Sequence, residues 1–541
     1  MTASADRPRD AQEPEHGAEP RRPGTVAGPP RPGIPWWSVL VGVIGGVVLL
    51  AVAELLSLAF SSSSAPFVAV GGGFIDIIPP WVKDLAIGLF GTWDKIVLFA
   101  SMVAVYIVLT ALNGALGARR PRTAAVVLAG LGVFATIIVL TRAQNTVLDA
   151  VPTLLGTLVA VPTLIVLLRA VRAPSAPLDA DEGWSRRRSL VGVGAVGVLA
   201  VIIAAGARGV NATREVARRA AEFTLPTPRT RAEEIPGDAQ VEVEGMPPYV
   251  TPNEDFYRID TALAVPRVDP TTWELRIHGL VDRELTMTFE ELLAEPMIEK
   301  HVTLTCVSNS VGGDLAGNAT WLGVPVRTLL ERVGVKGGAD MVLSRSTDGF
   351  TASTPLEALT DDRDSLIAVG MNGEPLPQEH GYPVRMVVPG LYGYVSATKW
   401  LTELTVTRFA DDTAYWTTRG WSERGPIKIA SRVDVPRSFD ELAPDENGTV
   451  MLGGTAWAQQ RGIATVEVRI DDGDWREAAL GAAVTDDTWV QWSLAWQDAT
   501  PGDHTVSVRA TDGEGEQQTE ERAKPVPNGA SGWHTIDFSV E

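Results

Sequence analysis

At 541 residues the chain is too long for one hydrophobic core, so several domains are expected. Acidic residues outnumber basic ones, 66 to 46, for a net charge of −20, which argues against a nucleic-acid partner because phosphates reward Lys and Arg. The one cysteine, Cys306, excludes intramolecular disulfides and zinc or iron–sulfur centres held by several thiolates, and the lack of CxxCH excludes a covalent c-type haem.

Residues 1–33, rich in Pro, Gly, Arg and Glu, read as a disordered cytoplasmic tail. Five apolar runs follow, at about 36–60, 94–117, 123–141, 150–171 and 189–207. Each is roughly 19–25 residues, long enough to cross a ~30 Å hydrocarbon layer as a helix, so 34–210 reads as a membrane region of five helices. Between the first two runs, GGGFIDIIPPWVKDLAIGLFG (71–91) suits a short interfacial helix, because Asp76, Lys83 and Asp84 interrupt its apolar surface. Glu54 is the one acidic residue well inside the first run, and a place near the outer interface accounts for it.

Arginines set the expected orientation. Arg21, Arg22 and Arg31 precede the first run, Arg119, Arg120 and Arg122 separate the second from the third, and Arg169, Arg172 and Arg186 to Arg188 flank the loop before the fifth. The positive-inside rule makes these segments cytoplasmic, and five spans then place everything after 208 outside the cytoplasm. Arg208, Arg214, Arg218 and Arg219 run against this, although a long domain crosses regardless of nearby charge. The stretch SRRRSLVGVGAVGVLAVIIAAG (185–206) reads either as a twin-arginine export signal or as an ordinary positive-inside flank. None of the six histidines (His16, His278, His301, His380, His504 and His534) falls in an apolar run, so bis-histidine haem is excluded there and a separate electron-transfer protein is expected.

A linker at 211–239 leads to a change of texture. From 240 to 412, short strands such as WELRIHGL, VTLTC and YPVRMVVPG alternate with helical pieces such as VRTLLERVG, as in a mixed α+β domain. From 413 to 541 the pattern is nearly all strand, with turns every 8–12 residues, which reads as an immunoglobulin-like β-sandwich.

Chemistry concentrates in two segments. In TLTCVSNSVGGDLAGNATWLGVPVRTLLERVG (303–334), Cys306 ends a strand and enters a loop rich in Gly and Asn. A thiolate there is a soft anionic donor facing a cavity, and the loop amides can donate to an oxyanion; a buried cysteine serving as a small hydrophobe is the plain alternative. In MNGEPLPQEHGYPVRMVVPGLYGYVSATKWL (371–401), His380, Arg385 and Lys399 surround a Gly-rich strand–loop–strand, as in a pocket for an anion, or as in a surface ion-pair patch.

Together these motifs resemble the sulfite oxidase family of molybdopterin-dependent oxidoreductases, over about 240–541. The resemblance implies Cys306, in Cys306-Val307-Ser308-Asn309, as the protein ligand of a molybdenum–molybdopterin cofactor, with Asn309 beside it and Gly312 and Gly313 shaping access. It implies roles for His380 and Arg385 at the cofactor's phosphate, with Lys399 and the Ser396 to Thr398 stretch adjoining. YVTPNEDFYRIDTAL (249–263) is similar to the family's TPN…FF/FY arm, which implies that Asn253, Phe256, Tyr257 and Arg258 lean on the pterin. Ser346 or Thr347 adds a hydroxyl. Tyr392, Tyr394 and Tyr415 are candidate proton or hydrogen-bond donors, Tyr394 foremost, with packing the plainer role of each. The AWA, VEVRIDDGDW and WVQW pattern resembles the family's dimerisation domain, which implies a homodimer.

The resemblance implies oxygen-atom transfer to or from a small sulfur-containing substrate, with the catalytic domain outside a cell membrane crossed several times. Two departures bear on that substrate. Animal and plant sulfite oxidases carry Arg-Asn-His in the arm, where this chain has Arg258-Ile259-Asp260-Thr261 and Ile259 replaces the arginine. Ser310-Val311-Gly312-Gly313 likewise replaces paired arginines in the cysteine loop. Doubly charged sulfite then needs another cation, such as Arg258 or Arg424. The FYxxxT texture is similar to the bacterial methionine-sulfoxide reductase branch, whose substrate is neutral. A cofactor-free surface protein that binds a partner, and a transporter formed by the five helices, are the competing readings.

Overall fold

The computed structural model describes residues 36–60, 64–78, 82, 94–142, 145–172 and 224–541, Asp498 excepted. The N-terminal tail, the fifth apolar run with its arginine-rich flank, and the first part of the linker lie outside these residues. Helices α1 (Trp36–Leu56), α2 (Pro66–Ile77), α3 (Asp94–Gly117), α4 (Pro121–Leu140) and α5 (Val151–Arg172) come first. Four stretches, Trp36–Ala59, Ile96–Gly117, Pro121–Leu140 and Val147–Val171, are long and apolar enough to cross a membrane, which points to membrane association. The short helix expected within 71–91 starts earlier, at Pro66, where proline presets the first-turn backbone and has no amide to leave unpaired. Helices α1 and α3 cross at glycine, since a Cβ on Gly42 would lie 2.2 Å from the Thr110 carbonyl.

The next region is built on two sheets. Its strands are β1 (Glu274–Gly279), β2 (Leu285–Thr288), β3 (Ile298–Thr305), β4 (Ala316–Pro325), β5 (Met341–Ser346), β6 (Thr351–Pro355), β7 (Leu366–Met371), β8 (Glu374–Pro375), β9 (Arg385–Val387) and β10 (Leu401–Thr407). One sheet runs β2-β1-β10-β5-β6, mixed because β1 and β10 are parallel; the other runs β3-β4-β7-β8, with β9 also paired to β7. Helix Val326–Val333 buries Val326, Leu329, Leu330 and Val333, the i, i+3, i+4, i+7 stripe of an amphipathic helix.

The C-terminal region is β-rich. It comprises β11 (Ala430–Val435), β12 (Glu441–Leu442), β13 (Val450–Trp457), β14 (Ile463–Ile470), β15 (Arg476–Glu477), β16 (Ala479–Leu480), β17 (Val490–Trp496), β18 (Gly502–Asp512) and β19 (His534–Val540). The sheets β11-β13-β17-β16 and β12-β19-β18-β14-β15 share one core. Alternation explains it: Val466, Val468 and Ile470 point inward on β14, while Ile536, Phe538 and Val540 do so on β19.

Strand β3 is where the two regions meet. One of its edges pairs with β4. On the C-terminal side, the Thr303 amide donates to the Asp487 carbonyl at 3.0 Å and Gln459 Nε2 donates to the Thr303 carbonyl at 3.2 Å. Thr303 Oγ1 accepts from the Trp489 amide at 2.8 Å, and Lys300 pairs with Asp487 at 2.8 Å. Residues 230–249 bind across the same seam: Thr230 accepts from the Glu299 amide, and Tyr249 donates from its hydroxyl to Thr488 Oγ1 at 3.0 Å. Thr303→Val should therefore lower stability by about 1–3 kcal/mol, because the Trp489 amide is left buried without an acceptor. Denaturant unfolding of the full chain in detergent, followed by circular dichroism, measures it; an unchanged midpoint would count against this seam as a structural bond.

A candidate active site at the end of the cysteine strand

Side-chain parity places Cys306. Val302 and Leu304 face a cluster that contains Phe256, Trp321 and Tyr382, and Cys306 continues that alternation past the strand end. The loop is closed by a ring of bonds: Asn309 N donates to Cys306 O at 3.0 Å, Leu315 N to Asn309 Oδ1 at 3.0 Å, and Cys306 N to Leu315 O at 2.9 Å. The thiol lines a cleft together with Phe256, Tyr257, Ser346, His380, Arg385 and Lys399. Burial pushes the Cys306 thiol up, opposed by the Ser308 amide, which donates to Sγ at 3.4 Å.

Arg385 arrives on β9 on the same face as Val387, and its guanidinium stacks 4.8 Å over the Trp321 ring. It donates to the His380 carbonyl at 3.0 Å and to the Met386 carbonyl at 3.4 Å, and it forms no ion pair with a carboxylate among the described residues. Burial pulls it down to about 10, still charged at neutral pH. Lys399 sits beside it because residues 398–401 run along 384–386: Met386 N donates to Thr398 O, and Leu401 N to Val384 O. The close approach requires Gly381, whose φ is +113° and where a Cβ would lie 3.0 Å from Arg385 Cβ and 3.1 Å from Lys399 Cβ. Lys399 Nζ donates to Asp260 Oδ2 and to Glu379 O, both at 3.0 Å. Burial lowers it to about 8, against the opposing pull of Asp260.

His380 differs from a phosphate-binding cation. Its Nε2 lies 2.8 Å from the Asn253 carbonyl, and burial with Arg385 nearby brings its pKa down to about 4. The ring is neutral at pH 7, so Nε2 carries the proton and Nδ1 is an acceptor. Tyr257 stays protonated through burial and the nearby Cys306, which places a hydroxyl donor in the cleft. Its ring stacks on Phe256 at 5.2 Å between centroids.

Other sequence expectations land elsewhere. Arg258 points outward, 42% exposed, and pairs at 2.9 Å with Asp260, whose side chain is buried and lines the cleft, so its charge is engaged by a neighbour two positions along the irregular arm. Asn253 braces His380 through its carbonyl and accepts from Asn372 Nδ2, outside the cleft lining. Asn309 closes the loop and faces away. Ser396 donates to the Leu391 and Tyr392 carbonyls, and Thr398 pairs with Ser344 at 2.7 Å; neither lines the cleft. Tyr394 presents its ring to the cleft, yet its hydroxyl donates to the Ser422 carbonyl at 2.7 Å. Tyr392 and Tyr415 are not in the lining, Gly312 packs on His534, and Arg424 pairs with Glu357 at 3.1 Å. Sequence reasoning missed Asp260, Asp348, Phe350, Trp416 and Trp421, which all line the cleft. The paired tryptophans of AYWTTRGW, set in a polar, turn-rich segment, were the one available signal.

This site can be compared with known proteins. Residues 262–416 match the family described as the oxidoreductase molybdopterin binding domain. Over 157 residues, 29% of this chain and 76% of the relative, the sequence is 36% identical to the uncharacterized oxidoreductase YuiH of Bacillus subtilis. It is 28% identical over 316 residues to the mitochondrial sulfite oxidase of Drosophila melanogaster, covering 49% of this chain and 54% of that one. It is 32% identical over 287 residues to the NADH nitrate reductase of Volvox carteri, covering 43% and 33%. The chain thus spans about half the length of the sulfite oxidase and a third of the nitrate reductase. The sulfane dehydrogenase SoxCD from Paracoccus pantotrophus superposes with a TM-score of 0.47 at 23% identity, over 56% of this chain and 85% of that one.

The chain belongs to the sulfite oxidase family of molybdopterin-dependent oxidoreductases. It is an oxidoreductase, and its cofactor is molybdenum–molybdopterin. The residues present fit that group: one soft thiol, a buried guanidinium without a carboxylate, and a second buried cation face one cleft. Among the described residues no cluster of three His, Cys, Asp or Glu side chains is arranged to hold a metal. Lys399 is charged below about pH 8 and neutral above it, while His380 gains charge only near pH 4. Sulfate, a dianion over this range, should therefore bind the cofactor-depleted protein with steady affinity from about pH 5 to 7, weaken as pH rises past 8, and tighten only near pH 4, where His380 gains charge. Titration calorimetry at several pH values reads this, and a flat profile from pH 7 to 10 would remove Lys399 from the anion site.

Proposed function

We propose that the chain is a membrane-anchored enzyme that transfers an oxygen atom to or from a small sulfur-containing substrate. The observation that carries this reading is Cys306, a buried strand-end thiol facing a cleft whose deepest cation, Arg385, has no carboxylate partner among the described residues. When bound, molybdenum–molybdopterin supplies two-electron redox chemistry and oxygen-atom transfer, and the protein positions and tunes it. Cys306 would hold the metal as a thiolate. Arg385 and Lys399 would hold the cofactor's anionic group, and Ser346 would add a hydroxyl. His380, fixed through Nε2, would accept a hydrogen bond at Nδ1. Phe256 and Tyr257 would lean on the pterin, and the Tyr257 hydroxyl is the group placed to hold or deliver a proton.

A second reading, sulfoxide reduction, is favoured by the charges around the open part of the cleft. Arg258 and Arg424 are engaged elsewhere, Asp260 offsets Lys399, and Ile259, Trp416 and Trp421 form apolar walls. Such walls exclude water and suit a neutral substrate better than sulfite.

The rest of the assignment follows the charge pattern and the strands. Four apolar helices, with the run at 189–207 as a fifth, would make a multi-pass anchor over 34–210, and the arginine pattern places the catalytic domain (240–412) outside the cytoplasm. The two C-terminal sheets over one core support an immunoglobulin-like domain (413–541) and, by family likeness, a homodimer. Electrons would pass to or from a separate redox protein.

Purified protein should contain molybdenum, and Cys306→Ser should reduce turnover to background while the fold persists. Side-by-side assays should show sulfoxide reduction faster than sulfite oxidation. Rapid sulfite turnover would reverse the choice of substrate, and an active, metal-loaded Cys306→Ser would end the ligand assignment.

A further inference from the structure

The loop that carries Cys306 is held at its far end by the C-terminal region. Arg432, on β11, donates from Nη1 to the Gly313 carbonyl at 2.9 Å. Its guanidinium is ion-paired with Asp434, Nε to Oδ1 at 2.7 Å, with both side chains about nine-tenths buried, and Asp434 Oδ2 accepts from Thr455 at 3.0 Å. His534 opens β19 and links the two C-terminal sheets, since its Nδ1 accepts from the Val433 amide of β11 at 3.0 Å. The other edge of that ring lies on Gly312: a Cβ there would come 2.1 Å from His534 Cδ2 and Nε2. Gly312 has a φ of +77°, which admits this contact and the tight turn together. From Gly313 the ring of loop bonds runs through Leu315 and Asn309 to the Cys306 backbone.

We propose that Arg432 and His534 are positioning residues that set, through Gly312 and Gly313, the direction in which Cys306 presents its sulfur to the cofactor. The inference rests on reading Cys306 as the metal's protein ligand. It goes further in giving the C-terminal region a part in the active site. The thiolate's torsion governs its overlap with the metal, so an anchor six or seven residues away can tune the centre without touching it. A guanidinium held by a buried carboxylate suits the task, because it gives a charge-assisted bond of fixed direction to a backbone carbonyl.

The test uses the full-length, cofactor-loaded protein in detergent with Arg432→Met, Arg432→Lys, Gly312→Ala and, as control, Arg476→Met at an exposed site on the same region. Two readouts are taken: the paramagnetic resonance signature of the half-reduced molybdenum, and amide exchange over 306–315 in cofactor-depleted samples. Arg432→Met should speed exchange at Gly313 and Leu315 by roughly tenfold or more and shift the resonance signature. Arg432→Lys should restore both in large part, and Arg476→Met should change neither. Should Arg432→Met fail to fold, Gly312→Ala reads the same contact by pushing the ring away, with the same two shifts expected. Folded variants at Arg432 or Gly312 with wild-type exchange and signature would overturn the proposal. Wild-type protein without molybdenum would overturn the ligand reading of Cys306 instead, and exchange alone would then decide whether the clamp exists.

Discussion

A guanidinium out of water, with carbonyls and an indole ring but, among the described residues, no carboxylate paired with it, is the constraint on which this site turns. Moving an ion into a protein interior costs several kcal/mol even after relaxation, so a buried cation is kept only where something answers it. For Arg385 the His380 and Met386 carbonyls and the Trp321 face answer in part. The rest is left for an anion in the cleft. Lys399, a second buried cation, has its acid in Asp260, and the two responses divide the cleft. Around Arg385 the pocket wants negative charge from a ligand, whereas around Lys399 Asp260 supplies part of it and a ligand anion is left the smaller share.

That division bears on Cys306. Burial disfavours a thiolate, and among the described residues the donors to the sulfur are the amide and hydroxyl of Ser308 rather than a cation. The site is therefore not built as a nucleophile's site, where a neighbouring base or cation would lower the thiol's pKa. It suits a sulfur that loses its proton when a metal takes the proton's place, since ligation and deprotonation are then one event. The geometry supports a ligand role on chemical grounds that are independent of the sequence likeness.

Much of this was legible in the chain. The four apolar runs that fall within the described residues are helices with bounds within a few residues of those read from sequence, because length and hydropathy weigh most in such elements. The block from His380 to Lys399 folds back on itself over a few residues, so its three polar groups meet as local spacing suggested. Failures came where side-chain direction could not be read from spacing. In the irregular arm, Arg258 drew attention as the cation, but Asp260 is the residue turned inward. Asn309, Ser396 and Thr398 looked like donors to a ligand, and their side chains instead satisfy backbone carbonyls, backbone amides or another hydroxyl. Small polar residues in tight loops bond locally first, and sequence carries little sign of which ones are free. Trp416 and Trp421 lie far from the cysteine in sequence, and only tertiary folding brings them to its cleft.

The seam between the two β-rich parts explains why the C-terminal region is more than an appended module. Trp457, Val484 and Trp489 belong to the same core as Leu275, Val324 and Leu404, and the free side of β3 is bonded at Thr303 to Asp487, Trp489 and Gln459. A strand with one unpaired edge would fray, and the last residue of a fraying strand could not aim a side chain to within a fraction of an ångström. By closing that edge, the C-terminal region gives β3 the rigidity that the proposed ligand role of Cys306 would demand. The same region holds the loop at Gly313, so Cys306 lies between two points of attachment rather than at the tip of a free strand.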